Sequence, residues 1–358
     1  MAAVTNLFSP LKLRELTFKN RIFVSPMCQY SAKDGVPDNW HLVHLGSRAV
    51  GGAALVIAEA TAVKDIGRIS PGDLGIWNEQ QVEAFKPIAK FILEQGAIPG
   101  IQLAHAGRKG STAVPWKGTG KIEIKDGGWI PEAPSAIAFS STYPTPREIP
   151  ASEMAALVQD FVAASKRAEQ AGFQVVELHM AHGYLMHEFL SPLSNTRKDE
   201  YGGSLENRMR LPLQVAAAVR AAWPAKWPVF VRLSATDWAP QGGWDLSQSV
   251  EFAKELKKIG IDFIDCSSGG TLEHPQIPVG PGYQVQFASN IREKAEIPTG
   301  AVGIIVNAAQ AEVILREEMA DAVLMAREFL RDPYFPLHAA KDLGTEIAWP
   351  LQYERAKR

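Results

Sequence analysis

The sequence predicts an α/β fold of the (β/α)8, or TIM-barrel, class. Eight short apolar runs recur along the 358 residues, and segments with helical periodicity stand between them. Because strands that alternate with helices form parallel sheets, this order indicates a closed barrel of eight parallel strands. Polar side chains stand where the runs end, and barrel enzymes carry their active sites at those carboxyl ends. No repeat or linker divides the chain, so we expect one domain over residues 1–358.

The predicted elements follow from the local patterns. The eight strands are residues 22–27, 53–60, 98–105, 175–180, 229–234, 263–267, 300–305 and 322–325. Helical patterns cover residues 79–95, 152–171, 246–258 and 308–317. We expect Ser152 to cap the second of these helices, and glycines follow the first three, as is common at helix ends.

One connection is far longer than an ordinary βα loop. Residues 107–150 follow the third strand, are rich in Gly, Pro, Ser and Thr, and contain Trp116 and Trp129. We interpret them as an excursion over the barrel mouth, with room for a small hairpin, rather than as a separate domain. Residues 5–19 are expected to lie across the opposite end of the barrel.

Composition limits the classes of function. Hydrophobic residues make up 46% and charged residues 21% of the chain, which is typical of a soluble enzyme. A net charge of −2 argues against a nucleic-acid surface or a polybasic membrane patch, and no apolar run approaches a membrane span. With no secretory signal visible, the two cysteines, Cys28 and Cys266, favour a reducing cytoplasm. They also exclude an iron–sulfur cluster with four cysteine ligands from this chain.

The most informative motif is Leu-His-Met-Ala-His-Gly-Tyr at residues 178–184, where the fourth strand ends. A turn permitted by Gly183 would bring His179, His182 and Tyr184 together. Two imidazoles can hold a carbonyl or nitro oxygen, and the phenol can donate a proton nearby.

Histidines three residues apart also occur as ordinary surface or core residues, or as zinc ligands. His187 and Glu188 are the nearby side chains that could complete a zinc site with His179 and His182. A zinc site needs three or four ligands, and no further ligand stands out. We therefore predict no metal.

Polar residues also interrupt other strands. Gln102 lies in the third strand and Arg232 in the fifth, where a guanidinium is costly unless it meets an anion or many acceptors. The alternative partner for Arg232 is Asp262 or another carboxylate inside the barrel. Arg327 and Gly303 follow the eighth and seventh strands, where barrels commonly bind phosphate, although Arg327 alone would suit the surface. Together these residues would suit a large flat ligand with a phosphate at one end. Flavin mononucleotide (FMN) is such a ligand.

Five motifs carry a resemblance to a known family. They are Ser-Pro-Met-Cys-Gln-Tyr at 25–30, His-Met-Ala-His-Gly-Tyr at 179–184, Ser-Asn-Thr-Arg at 194–197, Asp-Glu-Tyr-Gly-Gly-Ser at 199–204 and Ala-Arg-Glu-Phe-Leu-Arg-Asp-Pro at 326–333. In combination they resemble the old yellow enzyme family of FMN-dependent ene-reductases, from about Leu7 to the C-terminus. Cys28 and the run at 352–355 resemble its branch of xenobiotic reductases and YqjM-like enzymes.

The resemblance implies tightly bound, non-covalent FMN. Gln102 would bond the pyrimidine edge of the flavin, and Arg232 would lie beside N1 and the C2 carbonyl, where negative charge appears on reduction. Cys28 would lie near the C4 carbonyl and N5, although a small buried hydrophobe is its plain alternative. The remaining cofactor contacts would come from Ser25, Pro26, Met27 and Ala60, with Gly303, Ala326 and Arg327 on the phosphate.

The reaction that the resemblance implies has two halves in one pocket. NADPH or NADH would pass hydride to flavin N5, and an activated alkene would then receive it in a ping-pong sequence. His179 and His182 would bind the carbonyl or nitro oxygen, Tyr184 would protonate the α-carbon, and Tyr30 would close over the substrate.

The C-terminal tail, residues 345–358, bears Trp349, Tyr353 and Arg355. In the resembling branch such a tail crosses to a neighbouring subunit, which implies a homodimer or homotetramer with Arg355 at the neighbour's substrate site. The chain departs from the branch after Arg355, because Ala-Lys-Arg replaces the usual Gly-Trp ending. Two other functions remain open: a flavin-binding redox sensor with little turnover, and a flavin-free aldolase- or isomerase-type barrel.

Overall fold

The computed structural model describes residues 6–118 and 120–357 and contains a closed parallel barrel. Its eight strands run in the order β3-β13-β12-β11-β10-β9-β6-β4, and pairing of β3 with β4 closes the ring. The strands in chain order are β1 (Leu11–Leu13), β2 (Leu16–Phe18), β3 (Ile22–Val24), β4 (Leu55–Ala62), β5 (Leu74–Gly75), β6 (Ile98–Ala104), β7 (Glu132–Ala133), β8 (Arg147–Glu148), β9 (Val175–Met180), β10 (Val229–Ser234), β11 (Phe263–Ser267), β12 (Thr299–Ala301) and β13 (Ala322–Met325). The predicted (β/α)8 class is confirmed.

Helices cover the outside of the barrel. They are α1 (Asn39–Val50), α2 (Glu79–Glu94), α3 (Met154–Gln170), α4 (Leu185–Leu190), α5 (Leu205–Ala222), α6 (Leu246–Ile259), α7 (Val285–Ala295), α8 (Ala308–Arg316), α9 (Arg327–Arg331) and α10 (Phe335–Asp342). Asn78, Asp245 and Asn307 cap α2, α6 and α8 by accepting from a backbone N–H, as sequence preferences at helix starts favour. The described residues contain no helix long and apolar enough to cross a membrane.

The lower half of the barrel interior is apolar. Phe23, Val175, Phe230 and Phe263 form one buried cluster there, in which the rings of Phe230 and Phe263 stack 4.4 Å apart. The antiparallel pair β1–β2 contributes Leu13 and Phe18 to this cluster and so closes the lower end, as predicted for residues 5–19. Of that segment, Thr5 lies outside the described residues.

Several predicted boundaries are wrong. Strand 22–27 ends at Val24, and strand 300–305 ends at Ala301, where Gly303 and Ile304 adopt positive φ angles that stop a strand. The strand predicted at 53–60 begins at Leu55 and continues to Ala62 across a bulge between Ala58 and Ala60.

Two predictions about loops also need correction. Ser152 does not cap α3, because residues 151–153 form a 3-10 turn and Glu153 stands at the cap position without a side-chain bond. The excursion 107–150 contains no two-stranded antiparallel hairpin: β7 and β8 pair in parallel, and the only antiparallel pairing within its described residues is the isolated bridge Thr112–Lys121.

Candidate active site

The interior of three neighbouring strands is arranged in layers, because side chains two residues apart point to the same face. The apolar layer contains Val175, Phe230 and Phe263 on β9, β10 and β11. Two residues further along each strand come Glu177, Arg232 and Asp265, and two further still His179, Ser234 and Ser267. The strands are staggered, so that Arg232 stands opposite Asp265 and His179 in register, and Glu177 stands opposite Phe230. Polar side chains therefore begin two residues above the apolar layer and continue to the mouth of the barrel.

The mouth layer holds the predicted imidazole pair and phenol. The ring centroids of His179 and His182 are 5.2 Å apart, and those of His179 and Tyr184 are 5.0 Å apart. His182 Nε2 shares a hydrogen bond of 2.7 Å with Ser267 Oγ, and its backbone N–H donates to Ser234 Oγ at 2.9 Å. The structure thus brings together three of the predicted site residues and adds two serines.

A strained turn places His182. Its φ of 60° lies in the left-handed region, which costs a non-glycine residue about 1–2 kcal/mol. The turn packs backbone to backbone on a neighbouring loop, since a Cβ on Gly183 would lie 2.1 Å from the Gly270 carbonyl oxygen. Lys109 Nζ donates to the carbonyl oxygens of His182 and Gly270, both at 3.0 Å, and so joins the two loops.

These groups are neutral at physiological pH. Burial, and then the positive charge of Arg232, hold the pKa values of His179 and His182 well below the usual range. Burial raises the pKa of Tyr184 well above its usual value, so this phenol keeps its proton. The mouth can offer neutral imidazole N–H groups and a phenol O–H to a substrate oxygen or carbon.

Beneath the mouth lies a fully buried polar layer. Gln102 Nε2 donates to Glu177 Oε1 at 2.8 Å, and Arg232 Nε lies 3.0 Å from Asp265 Oδ2. The side chains of Glu177 and Asp265 are both 0% exposed. The alternative partner suggested for Arg232, Asp262, is wrong, because Asp262 pairs with Arg14 at the lower end of the barrel; another interior carboxylate, Asp265, takes that place.

Cys28, Ala60 and Tyr30 lie together beside the ends of β3 and β4. The Cys28 thiol interacts with the Tyr30 hydroxyl and the Ala60 backbone, while burial, with Asp73 and Glu59, raises its pKa well above the usual value. Tyr30 has a φ of 50°, and its ring meets Trp116 of the excursion edge-on at 6.1 Å. The thiol is therefore protonated, and the excursion covers this side of the mouth.

A cavity of about 260 Å³ lies at the ends of β12 and β13, and the residues predicted to bind phosphate line it. Gly303, Ala326 and Arg327 line it, together with Tyr283 and Gln284, which are not among the residues predicted from the sequence. Gly303 has a φ of 121°, and a Cβ there would lie 3.0 Å from Gln284 Nε2. A glycine at this position keeps backbone and cavity accessible to an anion.

Several buried polar atoms elsewhere in the site have no partner within the protein and suit a flavin. Ser25 Oγ and His179 Nδ1 are buried without a hydrogen-bond partner, and Arg232 Nε makes no well-aligned hydrogen bond. Buried polar groups normally have partners, so these unmatched atoms at the carboxyl ends of the strands indicate a polar-edged ligand. Pro26 and Met27, both partly exposed, follow Ser25 along the same edge.

The zinc alternative does not assemble. His187 Nε2 lies 3.1 Å from Asp237, and Glu188 accepts from the Arg108 N–H, so neither joins the histidine pair as a zinc ligand. No group of three or more potential metal ligands is arranged for a metal anywhere in residues 6–118 and 120–357. Arg355 lies exposed on the 3-10 turn Leu351–Ala356, where it borders a shallow cavity with other tail residues rather than its own chain's mouth.

Lys109, Ser234, Ser267 and the pair Glu177–Asp265 also belong to the site, although they are not among the residues predicted from the sequence. Lys109 follows the end of β6 by five residues within Gly-Arg-Lys-Gly, and a basic pair at a strand end is a recognisable signal. Glu177 and Asp265 also stand mid-strand in apolar runs, the same signal that identified Arg232. The serines gave no comparable signal.

Comparison with known proteins agrees with this geometry. Residues 6–346 match the model of the NADH:flavin oxidoreductase / NADH oxidase family. An NADPH dehydrogenase of Geobacillus sp. strain WCH70 is 49% identical over 356 residues, or 99% of each chain. An old yellow enzyme homologue from Zymomonas mobilis superposes with a TM-score of 0.78 at 28% identity and covers 97% of both chains. Morphinone reductase in complex with tetrahydroNAD superposes with a TM-score of 0.79 at 28% identity, over 96% of this chain and 92% of its own.

Fold and site together define a flavin-binding barrel oxidoreductase. More specifically, the chain belongs to the NADH:flavin oxidoreductase / NADH oxidase family, the family of the old yellow enzymes. It is an FMN-dependent NAD(P)H dehydrogenase of the old yellow enzyme type, so the predicted enzyme class and cofactors are confirmed.

Proposed function

We propose that this enzyme reduces the activated C=C bond of α,β-unsaturated carbonyl or nitro compounds. The observation that carries the proposal is the neutral imidazole pair of His179 and His182 beside the protonated phenol of Tyr184. When bound, FMN supplies the carrier that accepts hydride from NADPH or NADH and passes it to the alkene.

The side chains at the mouth then have distinct roles. His179 and His182 donate hydrogen bonds to the carbonyl or nitro oxygen and stabilise the negative charge that develops there. Tyr184 donates its proton to the α-carbon, because its raised pKa keeps the phenol protonated across the working pH range. Tyr30 closes over the substrate from the other side of the mouth, where its ring contacts Trp116.

The cofactor would lie across the mouth. Gln102 and Arg232 would bond the pyrimidine edge, with Cys28 near the C4 carbonyl and N5. Contacts from Ser25, Pro26, Met27 and Ala60 would support the ring, and Gly303, Ala326 and Arg327 would hold the phosphate. The unmatched Ser25 Oγ and the cavity lined by the last three residues support this placement.

One mouth serves both substrates, so we infer ping-pong kinetics. A nicotinamide and an alkene each need the space above the imidazole pair, and the residues that would close over one would also close over the other. The relatives named NADPH dehydrogenase support NADPH as donor, and the neighbour with bound tetrahydroNAD supports a nicotinamide at this mouth.

Tyr184→Phe tests the proposal. In anaerobic stopped flow with the holoenzyme, we expect flavin reduction by NADPH to stay within about twofold, while reoxidation by 2-cyclohexenone slows by about 10²–10⁴-fold, the usual contribution of a general acid. Tyr143→Phe removes a neighbouring hydroxyl and should change neither rate. Unchanged alkene reduction would exclude Tyr184 as the acid. A flavin that NADPH reduces but no enone or nitroalkene reoxidises would favour the redox sensor instead.

We also propose a cytoplasmic homodimer or homotetramer in which the tail reaches a neighbouring subunit. Leu351, Tyr353 and Arg355 are exposed on the tail, and Leu351 is 83% exposed, which favours a partner that covers them. Light scattering at micromolar concentration should give two or four times the 39.1 kDa chain mass. A monomeric mass would contradict the proposal.

A further inference from the structure

The buried polar layer holds one more acid than its cation can balance. Glu177, Asp265 and Arg232 face one another inside the barrel, and the two carboxyl groups are 0% exposed while Arg232 is 6% exposed. Asp265 lies 3.0 Å from the guanidinium, whereas Glu177 receives only the neutral amide of Gln102. Both Asp265 oxygens and Glu177 Oε2 lack a hydrogen-bond partner. Two ionised carboxylates here would leave a net buried charge, which is costly.

The surroundings of Glu177 offer no other compensating charge. Its register partners on β6 and β10 are Gln102 and the apolar Phe230. Arg232 and Asp265 interact with it across the barrel interior, and His179, two residues above it, is neutral. Of the other buried ionisable groups near the mouth, Glu59 interacts with Asp73, and Lys109 with Glu188. Burial and the charge of Asp265 raise the pKa of Glu177 to about 8, which agrees with the charge count.

We propose that Glu177 is a proton-holding positioning residue that acts on the bound flavin through Arg232 and Gln102. While Glu177 is protonated, the layer is neutral and Arg232 can face the negative charge that two-electron reduction places on the pyrimidine edge. Once Glu177 ionises, the layer carries a net negative charge and reduction becomes less favourable. This inference rests on the proposed placement of the pyrimidine edge over Gln102 and Arg232.

The proposed link between flavin reduction and Glu177 accounts for every electron and proton. Two electrons and one proton arrive on the flavin as hydride from the nicotinamide, which leaves oxidised. Where Glu177 was ionised beforehand, its carboxylate takes one further proton from solvent. Above the pH at which Glu177 ionises in the oxidised enzyme, reduction therefore takes up one more proton than below it.

The test is a potentiometric titration of the flavin in the holoenzyme from pH 6 to 9.5. Glu177→Gln replaces the protonated carboxyl with a neutral group of the same shape. At pH 6 the midpoint potentials of wild type and E177Q should agree. Above about pH 8 the wild-type potential should fall below that of E177Q by up to about 30 mV per pH unit, a tenfold change per unit for a two-electron couple.

Glu188→Gln is the matched control. Glu188 is equally buried and its pKa is also raised to about 8, but it faces Arg108 and Lys109 rather than Arg232. The E188Q profile should follow that of the wild type. Parallel profiles for wild type and E177Q over the whole range would overturn the proposal.

Two further measurements separate the possible failures. If E177Q does not bind FMN, proton uptake by the wild-type holoenzyme during anaerobic reduction, followed with a pH indicator, must still rise by up to one proton between pH 6.5 and 9. An unchanged count overturns the proton link. Arg232→Lys tests the placement on which the inference rests. If it shifts the potential while E177Q leaves the profile unchanged, the placement stands and the coupling fails; if neither has an effect, the placement itself is wrong.

Discussion

At the scale of single residues, Ser267 fixes the orientation of His182. Its hydroxyl shares a 2.7 Å hydrogen bond with the imidazole, and it stands on the mouth layer two residues beyond Asp265. An imidazole held from one nitrogen presents the other in a fixed direction, and this orientation favours recognition of one substrate oxygen.

We predict that Ser267→Ala weakens binding of enone or phenolic ligands about fivefold. Loss of one hydrogen bond is worth about 1 kcal/mol, which corresponds to that factor. A spectral titration of the holoenzyme with a phenol measures the affinity. Ser268→Ala, the next residue along, removes a hydroxyl that bonds Trp238 and Gln284 instead, and should leave the affinity within about twofold. Equal losses in both variants would count against the role of Ser267.

At the scale of elements, the turn after β9 is the part of the site that depends most on backbone shape. Gly183 has a φ of 71° and no space for a side chain, because Gly270 lies directly against it. Gly270 is equally constrained, since a Cβ there would lie 2.3 Å from the His182 carbonyl carbon. The two βα loops therefore hold their positions through backbone contact, and Lys109 secures the contact with two hydrogen bonds.

We predict that Gly183→Ala reduces the rate of alkene reduction by about a hundredfold, because it displaces His182 by a distance on the order of 1 Å. Gly203→Ala is the matched control: its φ is 82°, but no atom lies within 4 Å of the added Cβ. That variant bears only the strain of the left-handed backbone, about 1–2 kcal/mol, visible as a small fall in melting temperature. Stopped flow and calorimetry measure the two effects, and similar rates for the two variants would contradict the argument.

At the scale of the whole molecule, buried carboxyl groups make the free energy of unfolding depend on pH around neutrality. Burial raises the pKa values of Glu59, Glu177 and Glu188 to about 8 and that of Asp73 to about 7. In the unfolded chain such groups ionise near pH 4. Because the folded state binds more protons between these values, the stability they contribute is complete below pH 4 and is lost as the pH rises towards 8.

We therefore predict that the melting temperature falls between pH 6.5 and 8. The buried histidines, whose pKa values are lowered, act in the opposite direction only below about 6.5, and Lys109, with a pKa of about 8, opposes the fall only near and above pH 8. Calorimetry at a fixed excess of FMN measures the effect, which we expect to reach a few kcal/mol. Glu188→Gln should reduce it. A melting temperature that stays constant or rises over this interval would contradict the prediction.

The sequence by itself determined the barrel, its closed lower end and the grouping of two histidines and a tyrosine at the mouth. These depend on local patterns: apolar runs mark strands, alternation assigns Glu177 and His179 to one face, and parallel strands bring their carboxyl ends together. Gln102, Arg232 and the histidine–tyrosine motif were recognisable because polar groups inside apolar strands are costly without a purpose.

Only the tertiary structure decided how these residues pair. Strand register placed Asp265 rather than Asp262 against Arg232. The paths of the loops placed His182 beside Ser267, and Lys109 between two loops distant in sequence. The backbone also ends two strands earlier than predicted. Positive φ angles at Gly303 and Ile304 follow the end of β12, and Pro26 follows the end of β3. Such pairings depend on the relative shift of neighbouring strands, which the local periodicity of one strand does not encode.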